Sequence, residues 1–503
     1  MSSDQVVHNF DSVKGHMAGG ALWMVGMRWT LRLVGLVNIL IIARLLTPDD
    51  FGVTTMACIV VEFLIMLTET DVDVGLLRDN HCTRDYMDTA WTIKIVLGLM
   101  TFVVLVALSP VAAFYYHDDR VQLVIEIVSI RAIFMGFENI GVVEFRRSLD
   151  FSKEFRYSVW RRLIMFVVAL GLVLILHNYM ALALAAPISE IVTVIVSFTM
   201  SQYRPRLCLL RWRELWRFSR WQMLYNSARF INGRVDQFAV GGLTSAGTIG
   251  AYYVASDIAT MPTRELIWPM GRAFTPALAK IIHSREEMRL AWKSTLGFIA
   301  IITVAAGVGM SVIAEEAVRT LLGTQWDQAV GFFRWLALYG LFEGFVLSME
   351  AFFIAHKRER VLALVTFGQL TILVPLLFAT GHYLGIGMIA EVRTAVMALT
   401  TLVMFSIMVR SGWIGVGDIL STLWRPVIAA LVMAAAVMAV HQPGLMVPLL
   451  SLILQISVGA VVFTATLYLL WRLSGCPDGA ENALLARLGG WQTAPKKDFL
   501  DQR

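Results

Sequence analysis

Arg28 and Arg32 lie four residues apart, and with Gly35 and Ile39 they form a stripe at i, i+4, i+7 and i+11 inside an apolar run. A second stripe of the same kind is made by Asn226, Arg229, Gly233 and Asp236. Other ionisable residues stand alone in apolar surroundings: Glu62, Arg131, Glu190, Asp257, Arg264 and Glu343. At the centre of a bilayer such a side chain costs about 2.5–3.5 kcal/mol on insertion scales, so it faces protein or water rather than lipid. The chemistry on offer is binding of a polar passenger or coupling to an ion. The competing reading is that each arginine ties helices by pairing with a carboxylate, as Arg32 would with Glu62. Pro262 and Pro269 flank Arg264, which predicts a kinked or broken helix beside that charge.

The elements that must position these residues follow from composition. Of 503 residues, 57% are hydrophobic and 16% charged, against about 25% charged in soluble domains. A globule of this size could not be covered with polar surface, which excludes a soluble enzyme, and 28 Phe and 15 Trp exclude a solvated, disordered chain. A spanning helix needs about 20 mostly apolar residues. On that length the reading is an all-α polytopic membrane protein of about 14 transmembrane helices. The expected spans are 20–46, 51–74, 90–113, 121–142, 159–176, 179–202, 218–243, 249–277, 292–313, 329–355, 361–379, 386–409, 424–440 and 447–471.

Loop charge orients the chain. Arg146, Arg147, Lys153, Arg156, Arg161 and Arg162 follow the fourth span, and Arg204, Arg206, Arg211, Arg213, Arg217 and Arg220 follow the sixth. Lys280, Arg285, Arg289 and Lys293 follow the eighth, and Lys357, Arg358 and Arg360 the tenth, whereas the opposite loops hold only Arg44, Arg120 and Arg319. The alternation places both termini in the cytoplasm. It also explains the net charge of +5 as topology rather than as a nucleic-acid surface. Trp212, Leu215, Trp216 and Ser219 recur at i, i+3, i+4 and i+7 among arginines, which predicts a basic amphipathic helix on the membrane surface.

No metal site, catalytic group or cofactor is expected. The nine histidines fall in loops or tails, and the four cysteines have no paired spacing. Asp71-Val72-Asp73 has the form of a metal-binding pair in nucleotide-sugar transferases but lacks a nucleotide-binding fold around it. No phosphate-binding Gly-x-x-x-x-Gly-Lys loop occurs, so ATP hydrolysis is not expected. The start Met-Ser-Ser-Asp-Gln lacks the pattern of a cleaved signal peptide.

Shifting the chain by 197 residues sets Arg32 on Arg229 and Leu46-Thr47 on Leu243-Thr244; one insertion later, Gly52 meets Gly250. Both halves start on the same side, so the repeat is parallel, with its axis along the membrane normal. The expected organisation is an N-terminal lobe at 1–203, a basic linker at 204–217, a C-terminal lobe at 218–410, an appended helix pair at 424–471 and a cytoplasmic tail at 472–503. The two six-helix lobes would face a central cavity.

Several stretches resemble the lipid-linked oligosaccharide flippases of bacterial polysaccharide synthesis (Wzx-type), within the multidrug/oligosaccharidyl-lipid/polysaccharide exporter superfamily. They are Ala43-Arg44-Leu45-Leu46-Thr47-Pro48-Asp49-Asp50-Phe51-Gly52, Asp73-Val74-Gly75-Leu76, Phe145-Arg146-Arg147-Ser148-Leu149-Asp150-Phe151 and Tyr203-Arg204-Pro205-Arg206. Gly250-Ala251-Tyr252-Tyr253, Phe274-Thr275-Pro276-Ala277 and Leu322-Gly323-Thr324-Gln325-Trp326 continue the series. The resemblance implies a transporter rather than an enzyme. Its passenger would be an undecaprenyl-pyrophosphate-linked oligosaccharide, moved from the inner to the outer leaflet of the cytoplasmic membrane for lipopolysaccharide or exopolysaccharide synthesis. Its partners would be membrane lipid, a polysaccharide polymerase and export machinery. Arg28, Arg32, Arg229 and Arg264 are then the expected pyrophosphate contacts, because guanidinium forks grip phosphate through paired charge-assisted bonds. Glu62, Arg131, Glu190, Asn226, Asp236, Asp257 and Glu343 are the expected polar or coupling groups of the cavity. The alternative is a multidrug cation antiporter of the same fold.

Overall fold

The computed structural model describes residues 26, 28–68, 84–147, 151–213, 233–267, 270, 274, 278, 281, 283–440, 448–477 and 480–482. Asn226, Arg229, Asp71 and Asp73 lie outside these described residues. The secondary structure described is helical throughout, as a bilayer demands: with no water to satisfy backbone groups, each segment must bond internally.

The first unit contains α1 (28–45), α2 (Pro48–Thr68), α3 (Arg84–Tyr116), α4 (Arg120–Phe137), α5 (Phe151–Leu176), α6 (Tyr179–Met200) and α7 (233–243). Helix α8 (Ala246–Ala259) begins in it. The second unit contains a π turn (Thr263–Ile267), α9 (Arg285–Val312), α10 (Ala329–Ala355), α11 (Glu359–Tyr383), α12 (Ile389–Arg410), α13 (Val416–Val440) and α14 (Pro448–Leu473). The two compact units are Met1–Val254 and Ala255–Arg503, so the division falls within α8.

Among the described residues, ten helices are long and apolar enough to cross a membrane: α2, α3, α5, α6 and α9 to α14. The remaining expected spans correspond to α1 and α4, which carry several charges each, and to α7 and α8, which are short over the described residues. Several helices start well before their expected spans. Helix α3 begins at Arg84, α5 at Phe151, α9 at Arg285 and α13 at Val416. A reading by apolar length stops at the first charge, but a helix continues through the headgroup region, where charged side chains are solvated.

The stretch around Pro48 shows how a short motif builds the fold. Thr47 and Asp50 bracket the start of α2 as a capping box. The Asp50 carboxylate accepts from the Thr47 amide at 3.0 Å, and the Thr47 hydroxyl accepts from the Asp50 amide at 3.3 Å. Pro48 takes the first helical position, where its missing N–H costs nothing. The second oxygen of Asp50 accepts from the Tyr179 amide at 2.8 Å and so pins the start of α6. Asp49 pairs with Arg120 at 2.6 Å and pins the start of α4. One turn on, Gly52 lies directly against the Ala246 backbone, while Gly250 lies against Pro48 and Gly52. The starts of α2 and α8 therefore cross through two glycines that the sequence repeat equates, and each glycine packs on the other helix's first turn.

In the second unit one apolar core joins α9, α10, α12 and α13, with Trp292, Leu296, Phe353, Met404, Met408 and Ala430 among its buried members. Apolar helices differ in burial: α5 and α11 have few buried residues, whereas nearly half of the apolar stretch of α9 is buried. The reason is that absence of charge marks a lipid face and a packed core equally. Helix α13 also packs along α9, so the appended pair is tied into this unit through that face.

Candidate functional site

Charges of the first unit converge near the middles of their helices. Glu190, on α6, is buried and forms ion pairs with two arginines on different helices, Arg131 of α4 at 3.4 Å and Arg161 of α5 at 3.3 Å. Arg161 reaches Glu138 at the end of α4 at 3.9 Å, and the Tyr157 hydroxyl donates to that same carboxylate. Glu62, on α2, pairs with Arg234 of α7 at 3.3 Å, and Arg234 also donates to Gln237 at 2.7 Å. Cys58, one turn from Glu62, lies within electrostatic range of Glu62, Arg131 and Arg234, which places both ion pairs around one region.

The α1 stripe opens onto α5. Gly35 leaves a seat against which the guanidinium of Arg162 packs so closely that a β-carbon there would collide with it. Arg32 stands one turn before Gly35 and Arg28 one turn before Arg32, both half-buried. Counted from the ends of their helices nearest Pro48, Arg32, Glu62, Arg131, Arg161, Arg162, Glu190 and Arg234 all lie about two to four turns in, near mid-bilayer for a 30 Å core. Five arginines thus share a depth with two glutamates, and the region is cationic. Arg161 and Arg162 were absent from the sequence-based candidates because they were counted as loop charges. Their signal was the nearly three turns of helix-compatible sequence that precede them from Phe151.

Asp236 has another place. It is wholly buried and accepts from the buried Tyr252 hydroxyl at 2.7 Å, the geometry of a tie between α7 and α8.

In the second unit, Arg264 sits in the π turn, between the two prolines that predicted a break. The Thr263 hydroxyl donates to the Gly340 carbonyl at 2.7 Å and fastens that turn to α10. One turn along α10, Tyr339 donates to Glu343, with Arg264 in electrostatic range of both. Arg393 of α12 stacks over the Tyr339 ring, its guanidinium carbon 4.5 Å from the centroid. Asp257 is half-buried at the far end of α8. Arg264 and Glu343 are therefore brought together, as are Glu62, Arg131 and Glu190 in the first unit.

Many apolar spanning helices, two units and charged side chains at depth define a multi-pass membrane transporter of all-α, two-lobed architecture. Known structures share this fold. One titled lipid II flippase MurJ, in an inward closed conformation, superposes with a TM-score of 0.71 at 13% identity, covering 90% of this chain and 99% of that one. An inward-facing multidrug resistance MATE family transporter of the MOP superfamily gives 0.60 at 14% identity, over 77% and 98%. Among sequence relatives, the succinoglycan biosynthesis transport protein ExoT of Rhizobium meliloti is 24% identical, with 90% of both chains covered. The lipopolysaccharide biosynthesis protein WzxC of Escherichia coli is 20% identical over 66% of this chain and 68% of its own. A membrane protein from the cps region of Klebsiella pneumoniae is 22% identical over 71% and 74%. The polysaccharide biosynthesis protein family model matches residues 41–331, and the chain belongs to that family.

Proposed function

We propose that this protein moves an oligosaccharide carried on undecaprenyl pyrophosphate from the inner to the outer leaflet of the bacterial cytoplasmic membrane, by alternating access and without ATP hydrolysis. The observation that carries the reading is the cationic region of the first unit, in a member of a polysaccharide biosynthesis family. Both glutamates at that depth are already matched by arginines, Glu190 by two and Glu62 by one. An arginine surplus suits a diphosphate and repels the organic cations that a multidrug extruder would carry. Sugar hydroxyls and phosphate cannot cross lipid unaided, since each unsatisfied polar group costs several kcal/mol. With the cell interior negative, outward movement of an anion is downhill by about 2.3 kcal/mol per charge per 100 mV. That drive needs no ATP, and Glu343 is the remaining candidate for ion coupling. A polymerase and export machinery would receive the flipped product.

Within this reading Arg28 and Arg32 contact the pyrophosphate from the first lobe, with Arg162 beside them. Arg264 in the second unit and Arg229, the repeat mate of Arg32, are assigned the same phosphate-binding chemistry. The test is export of the glycan in cells whose own flippase is deleted. Arg32→Gln is expected to abolish export with protein abundance near normal, because Glu62 keeps Arg234 as its partner. Arg32→Lys should restore it only in part, since a point charge lacks the planar fork. Normal export by Arg32→Gln would remove Arg32 from the site.

The orientation proposed with this function has both termini in the cytoplasm. Single cysteines at 118 or 324 should then react with an impermeant maleimide in intact cells, and one at 206 only after permeabilisation. Reaction at 206 in intact cells would invert the topology and the direction of transport.

A further inference from the structure

The segment 201–213 follows α6 and is not a helix over its first part: 201–209 has no regular secondary structure, and helical structure begins only at 212. Its backbone is buttoned to the first turns of α3 by side chains. Asp88 accepts from the Arg206 amide at 2.9 Å and from the Tyr203 hydroxyl at 2.7 Å. Thr92 accepts from the Cys208 amide at 2.9 Å, and Thr89 from the Arg211 amide at 3.4 Å. On the other side, Asn139 donates to the Tyr203 carbonyl at 2.8 Å. The strap therefore lies fixed across the ends of α3, α4 and α6, where these helices leave the membrane.

What the strap turns outward is of two kinds. Leu207 and Leu210 are 74% and 77% exposed, and Trp212 is 47% exposed. Arg206, Arg211 and Arg213 are exposed between and beside them. Apolar side chains held out in this way would be poor company for water, and the segment lies outside the spans, so the hydrocarbon core does not account for them. Leucine and tryptophan set among arginines at a membrane end match the boundary between headgroups and acyl chains, where the rings and methyls insert and guanidinium groups meet phosphates. We propose that 201–213 is a docking surface for anionic phospholipid headgroups, which holds the polypeptide between α6 and α7 on the membrane surface. This does not depend on what the protein transports.

The experiment places one nitroxide at position 207, through Leu207→Cys in a chain whose four native cysteines are serines. The purified protein is reconstituted into vesicles of phosphatidylcholine alone or with phosphatidylglycerol. Relative accessibility to oxygen and to a water-soluble nickel chelate then reports the label's depth. With phosphatidylglycerol the label is expected at the interface; with phosphatidylcholine alone, or in high salt, it should shift toward water because the attraction is screened. Joint Arg206→Gln, Arg211→Gln and Arg213→Gln replacement should abolish the lipid dependence, and lysines at these positions should keep it. The salt comparison uses unchanged arginines, so it stands even if the glutamine variant fails to fold. A label at equal depth in both vesicles, or in water in both, overturns the proposal. A label in water in both vesicles but immobilised in native membranes would assign the face to a protein partner and overturn it equally.

Discussion

At the scale of single residues, the charged groups of this protein divide by where they stand. Near the helix ends they fasten turns: Arg120 holds Asp118 at 2.7 Å and Asp49 at 2.6 Å, tying the turn before α4 to the start of α2. Partial burial works to raise the Asp118 pKa, but the hydrogen bonds and charge of Arg120 outweigh it and hold the carboxyl below its usual value. A carboxyl with a depressed folded pKa contributes stability above its unfolded pKa, near 3.9, and loses it as pH falls through the folded value. Partly exposed Arg120 and Asp49 limit that contribution to about 0.5–1 kcal/mol. Asp118→Asn is therefore expected to lower Tm by about a degree at neutral pH and to flatten its decline below about pH 4. Thermal unfolding in detergent across that range checks it, and parallel curves for both proteins would contradict it. At mid-depth the same residue types do something else, and the sequence told only part of it. Glu62, Arg131 and Glu190 were legible as charges in apolar runs. Their pairing with Arg161 and Arg234 was not, because it depends on helix rotation, which spacing along one helix does not report.

At the scale of elements, the strongest constraint is the crossing of α2 and α8. Gly52 and Gly250 have no room for a β-carbon, since each would meet the other helix's backbone, which cannot swing aside. Small residues are how membrane helices approach closely without a hydrophobic driving force. Gly52→Val and Gly250→Val should each force the helix starts apart, with a penalty of at least 1–3 kcal/mol, as for overpacking in a dense core. The expected outcome is a marked fall in folded protein by fluorescence-detected size exclusion. Gly26→Ala, where nothing lies within 4 Å, should leave that profile unchanged. Losses of similar size at Gly26 would show that the crossing is not special. These glycines were visible beforehand only as a weak repeat, and the contact between them gives the repeat a physical cause. The proline-flanked break at Arg264 was read correctly from local chemistry, because proline acts on its own backbone. The strap at 201–209 was not foreseen, because the buttons that hold it, Asp88, Thr89 and Thr92, lie over a hundred residues away.

At the scale of the whole molecule, the last two helices bear on how the second unit is held together. Their apolar sequence set them apart as an appended pair at 424–471. Helix α14 fits that description, with Val461 and Leu469 exposed. Helix α13 does not. Its first turns carry Asp418, held by Arg289 of α9 at 2.7 Å, and Arg425, paired with Glu481 at 3.2 Å with both side chains buried. Ala480 beside that glutamate packs on Gly297 of α9. The chain beyond α14 thus returns to close the end of α9 and α13. Breaking a buried pair from one side leaves a stranded charge, which costs about 3–5 kcal/mol. Glu481→Gln is expected to lower the unfolding temperature of the purified protein and its cellular abundance. Arg425→Met combined with Glu481→Leu should recover most of the loss, because an apolar pair of similar volume removes the desolvation cost as well as the attraction. Val461→Ala and Leu469→Ala, on the outward face of α14, should leave both quantities unchanged, since exposed substitutions of this kind cost less than about 0.5 kcal/mol. If Glu481→Gln is as harmless as those two, the return segment does not brace α13. The appended pair would then be the peripheral addition that its apolar sequence suggested.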